Sequence, residues 1–79
     1  MSEAILSQFG AAVRKIRQEQ NISQEQLADM CFLHRTYVSD VELGKRNVSL
    51  ENIAKMAAAL GISITKLFAE VEKNNESFF

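Results

Sequence analysis

The sequence predicts an all-α fold, a compact arrangement of five short helices forming one domain over residues 1–79. Three observations carry that expectation. Apolar residues recur every three or four positions through each long segment, the repeat of a helix face. Serines at 23, 49 and 63 each follow an apolar residue and precede a helix-forming run, the signature of a capped helix start. Asn21, Gly44 and Gly61 then stand where left-handed residues end helices. No stretch alternates with the two-residue period of a strand.

Ile5, Leu6, Phe9, Val13 and Ile16 define the apolar face of a first helix, with Arg14, Lys15, Arg17 and Gln18 between them and an end near Gln20. Ser23 and Gln26 form a capping box for a second helix, with Ile22 and Leu27 as its hydrophobic staple and an end near Met30 or Cys31. Leu27 and Ala28 point inward, and Glu25 and Asp29 share the outer face. A third helix runs from about His34 to Leu43. At 100° per residue, Arg35, Thr36, Ser39 and Asp40 fall on one side, Val38 and Val41 on the other, with Tyr37 near the boundary. Ser49 caps a fourth helix with Leu50, Ile53, Met56, Ala57 and Leu60 as its core stripe. Ser63 caps a fifth, with Ile64, Leu67, Phe68 and Val71 as its stripe and Ile62 as the staple partner of Leu67. A polar tail follows and ends in Phe78-Phe79.

Bulk composition narrows the classes. At net charge −1 the chain is not a general polyanion binder, so any affinity for nucleic acid must rest on local arrangement. No apolar run approaches the ~18 residues of a bilayer span, so no membrane partner is expected. The N-terminal MSEAILSQFGAAVRK lacks the basic start of a secretory signal, and a single cysteine makes no internal disulfide. Cytoplasm is the simplest placement. Cys31 and His34 lie three apart, but no second Cys or His accompanies them, so no metal is expected. There is no nucleophile–base pair, carboxylate dyad or phosphate loop, so neither enzymatic activity nor a cofactor is expected.

Ser23 to Asn47, SQEQLADMCFLHRTYVSDVELGKRN, therefore reads as short helix, tight turn, short helix and basic loop, the layout of a helix-turn-helix. The details resemble the Cro/lambda-repressor-type family over nearly the whole chain. The resemblance is carried by Arg17, the run Ile22-Ser23-Gln24-Glu25-Gln26-Leu27-Ala28, then Tyr37-Val38-Ser39, Glu42-Leu43-Gly44-Lys45-Arg46-Asn47 and Ser49-Leu50-Glu51. Within that family, Leu33-His34-Arg35-Thr36-Tyr37-Val38-Ser39 and the short length are similar to controller proteins of bacterial restriction–modification systems. Phe32 departs from the pattern, standing where the family has Gly, or Asn in some controllers. A left-handed backbone there costs about 1 kcal/mol unless the ring packs. Leu43 stands where the family often has Arg or Lys, removing one phosphate contact.

On this reading Arg35, Thr36 and Ser39 read bases. A guanidinium at the start of the third helix grips guanine O6 and N7, threonine offers a methyl to thymine, and serine donates or accepts. Asp40 has three open roles: accepting from cytosine, repelling phosphate or orienting Arg35. Gln24 and His34 approach phosphates at helix starts, although His34 also reads as a poor cap. Tyr37, Lys45, Arg46, Asn47 and Ser49 form the expected backbone clamp. The resemblance pairs Arg17 with Glu42 as a structural link between the first and third helices. It also implies that acidic Glu25 and Asp29 touch RNA polymerase in an activator; a solvated acidic face is the other reading. Family members bind double-stranded pseudo-palindromes as homodimers, and Ile62, Ile64, Leu67 and Val71 are expected at the pairing surface. The implied function is a transcriptional regulator that activates at low occupancy and represses at higher occupancy. A phage-type repressor, an antitoxin, or an interaction module that has lost DNA are the alternatives.

Overall fold

The structure, a computed structural model, describes residues 2–74, so Phe78-Phe79 lies outside the described residues. Five helices follow one another: α1 (Ser2–Glu19), α2 (Gln24–Cys31), α3 (Arg35–Glu42), α4 (Leu50–Ala59) and α5 (Ile64–Asn74). Among the described residues no single helix is long and apolar enough to cross a membrane.

The starts are made by side chains. Ser23 Oγ accepts from Gln26 N while Gln26 Oε1 accepts from Ser23 N, closing a reciprocal box. Ser49 and Ser63 accept from Asn52 N and Lys66 N in the same way. The ends share one device. Asn21, Phe32, Gly44 and Gly61 all take positive φ, between 59° and 76°. Each is followed by an amide that reaches back five residues: Ile22 to Arg17, Leu33 to Ala28, Lys45 to Asp40 and Ile62 to Ala57. This is the Schellman closure, which satisfies carbonyls that a helix end leaves unpaired. In three of the four turns the closing residue is apolar and packs on the core; in the fourth it is the exposed Lys45.

The core is drawn from all five helices and includes Phe9, Val13, Leu27, Val38, Val41, Met56, Leu67 and Val71. The Phe9 and Phe68 rings meet at 5.6 Å between centroids, tilted by 37°, and join α1 to α5. Lys15 Nζ bonds Glu70 Oε2 at 2.8 Å across the same pair of helices. This bond raises the Lys15 pKa and lowers that of Glu70, each holding the other charged. Gly10 is buried where α1 crosses the end of α3. A methyl group on it would lie 2.2 Å from the Val41 carbonyl oxygen, so only glycine allows the approach.

Two expectations about packing are corrected. Leu67 and Val71, expected at a pairing surface, are 0% and 1% exposed and belong to this chain's own core. Leu50, expected inward, is 84% exposed, while Ile64, expected at the pairing surface, is 48% exposed. Leu50 is the first residue of α4, and helical side chains lean toward the N-terminus, past the neighbours that cover the following turns.

Candidate nucleic-acid interface

Eight-residue α3 is held by its inner residues, Val38 and Val41, which are 0% and 1% exposed. Its opposite side carries Arg35 and Thr36, both exposed, with Ser39 and Asp40 half-buried beside them. The first turn is therefore open to a partner along its whole polar side. His34 has extended backbone at the N-cap, makes no side-chain cap bond and is exposed.

Beyond α3 the basic loop is ordered by contacts that sequence reasoning missed. Arg46 lies over the Tyr37 ring, 5.2 Å from its centroid, and its Nε points at Asp40 Oδ2, 3.5 Å away. Asp40 thus orients Arg46 rather than Arg35. The Tyr37 hydroxyl accepts from Asn52 Nδ2 at 3.0 Å and keeps its own proton to donate. Asn52 is therefore a positioning residue; its place three residues after Ser49 was the available signal. Lys45, Asn47 and Ser49 are exposed around this group. The Ser49 oxygen caps α4 and retains its hydroxyl proton.

A buried clasp fixes this surface to the rest of the chain. Arg17 Nε and Nη2 donate to Glu42 Oε2 and Oε1 at 2.7 and 3.0 Å. Arg17 Nη1 donates to the Ile22 carbonyl at 2.8 Å, and Gln24 Nε2 donates to Glu42 Oε1 at 3.0 Å. Glu42 thus accepts three bonds from α1 and α2, and the end of α3 is fixed against both. Gln24 stays half-buried, with one amide hydrogen and its carbonyl oxygen not used in these bonds. Glu25 and Asp29 are exposed on the outer side of α2.

The turn between α2 and α3 is left-handed at Phe32, with φ 59° and ψ 39°. Its ring is 90% exposed, so packing within this chain does not offset the strain. Burial pushes the pKa of the neighbouring Cys31 thiol up, and its Sγ faces the Lys55 carbonyl oxygen at 3.8 Å. Among the described residues no group of three His, Cys, Asp or Glu is placed to hold a metal ion.

Comparison with known proteins follows the same lines. The helix-turn-helix family model matches residues 13–67. Control protein C.BamHI of Bacillus amyloliquefaciens is 56% identical over 63 residues, covering 78% of each chain. Control protein C.MunI of Mycoplasma sp is 48% identical over 66 residues, covering 82% of this chain and 89% of that one. The crystal structure of the restriction–modification controller protein C.AhdI from Aeromonas hydrophila superposes with a TM-score of 0.78 at 49% identity, over 80% of this chain and 96% of that one.

Proposed function

Because this chain belongs to the helix-turn-helix family, and within it to the control proteins of restriction–modification systems, and is thus a DNA-binding transcription regulator, we propose how it reads DNA and how it acts. Arg35, Thr36 and Ser39 enter the major groove and contact base edges, with Arg35 bidentate on a guanine. Gln24, His34, Tyr37, Lys45, Arg46, Asn47 and Ser49 hold the flanking phosphates. The observation that carries this reading is the contrast within the surface. Arg35 and Thr36 are exposed, whereas Arg46 is oriented by Tyr37 and Asp40.

Two copies bind a pseudo-palindromic site, because one eight-residue helix contacts too few base pairs to define it. With Leu67 and Val71 in the core, the pairing surface is drawn from exposed Leu50, Ala54 and Ala58 along α4, together with Ile62 and Ile64. Occupancy by one dimer activates, through Glu25 and Asp29 on RNA polymerase; a second dimer beside it represses. The protein acts in the cytoplasm, associated with the nucleoid when bound.

The test is binding to duplexes selected from a randomised pool. Arg35→Ala is expected to weaken binding by about 1–3 kcal/mol and to erase preference at one position of each half-site. Unchanged preference at every position removes Arg35 from base reading. Glu25→Lys should abolish activation while leaving the binding constant unchanged, and sedimentation should give a dimer at micromolar concentration. Full activation by Glu25→Lys, or a monomer throughout, refutes the corresponding claim.

A further inference from the structure

Helices α1, α2 and α3 leave between them a polar hollow of about 240 Å³, lined by Arg14, Arg17, Gln24, Ser39, Glu42 and Leu43. Two of its charges cancel. Arg17 and Glu42 bond each other through two nitrogens, are 8% and 9% exposed, and engage Gln24 and the Ile22 carbonyl besides. The wall at the end of α3 carries Leu43, 60% exposed and without charge. Arg14 remains. It is exposed and takes part in none of the ion pairs among the described residues, so it sets the net charge of the hollow at +1. Ser39 belongs both to this hollow and to the polar side of α3, so the two open side by side.

We propose that Arg14 grips a DNA backbone phosphate seated in this hollow while α3 reads the adjacent bases. The inference rests on the DNA-reading geometry proposed above and adds a residue to it. A tetrahedral anion entering here meets the exposed guanidinium of Arg14 on α1, the serine hydroxyl of α3 and the remaining amide hydrogen of Gln24. Its one neighbouring carboxylate already accepts three bonds. Because Leu43 supplies no cation from α3, the charge opposite the phosphate comes from α1. This contact sets affinity and the angle at which α3 enters the groove, and carries no base preference.

The experiment is a salt titration of duplex binding by the full chain and by Arg14→Gln, using the duplex selected by the unmodified protein and an unrelated one. The slope of log K against log salt is expected to shrink by about 0.9 for each protomer bound. Binding lost between 50 and 200 mM salt then becomes about 3.5-fold smaller per protomer. The loss of affinity is expected to be equal for both duplexes, with the melting temperature unchanged, since Arg14 is exposed. An unaltered slope overturns the Arg14 contact while leaving the reading face in place. A loss confined to the selected duplex overturns it in favour of base contact. If the unmodified protein shows no salt-dependent binding, the DNA-reading geometry fails and the Arg14 contact with it.

Discussion

Phe32→Asn should stabilise the protein. The native backbone at this residue is left-handed, with φ 59° and ψ 39°, a conformation that costs an ordinary side chain about 1–2 kcal/mol and asparagine less. The ring returns little, being 90% exposed. The covered tenth of roughly 200 Å² is worth about 0.5 kcal/mol at about 25 cal/mol per Å². The net expectation is a gain of about 0.5–1 kcal/mol, or about 2–8 °C in melting temperature for a domain of this size. Phe32→Ala separates the two contributions, because it keeps the strain and removes the ring; it should lose about 0.5 kcal/mol. The assay is thermal and urea unfolding followed by circular dichroism, with all variants at equal concentration, since pairing shifts apparent stability by mass action. The expected order is Asn, then Phe, then Ala. A Phe32→Asn protein that melts below the parent refutes the reasoning, for it means that the ring is covered in solution.

Gly10→Ala should destabilise by about 1–3 kcal/mol, read from the urea midpoint, because its methyl lies 2.2 Å from the Val41 oxygen and α1 must lift from α3. Arg17→Met should cost about 3–5 kcal/mol by leaving Glu42 buried without its cation, whereas Arg17→Met with Glu42→Leu should recover most of the loss in the same unfolding assay. Glu70→Gln should lower the melting temperature at pH 7 and lose that effect in acid. The Glu70 pKa is lowered in the fold, chiefly by the hydrogen bond from Lys15, so its contribution is complete above the unfolded carboxylate value and vanishes as pH falls through the folded one. Lys15 shifts the other way, so the pair's contribution also fades as pH rises through the raised Lys15 value.

The helices were legible because their starts and stops are local chemistry. Ser23, Ser49 and Ser63 announce three helices, and Asn21, Gly44 and Gly61 end three. What covers an apolar stripe was not legible, since spacing says that residues share a face and not what meets it. Leu67 and Val71 therefore look like a surface in sequence and prove to be core, while Leu50 at a helix start looks like core and is open. The exposed polar side of α3 was readable from that helix alone, because it needs only one helix period. The hollow at Arg14 and the support of Tyr37 by Asn52 each need elements far apart in sequence to meet, and no one-dimensional pattern encodes that meeting.

The repeated left-handed closures bear on how quickly the chain reaches this form. At all four turns the closing bond spans five residues, so each of the first four helices carries its own stop and waits on no distant contact. Chains built from such short-range decisions fold in microseconds to milliseconds, since little loop entropy precedes the first favourable contacts. The clasp of Arg17 on Glu42 spans 25 residues, so it is expected to form after the local stops, once a longer loop has closed. A substitution at a turn should therefore change the folding rate, and one at the clasp should chiefly change how fast the finished protein comes apart.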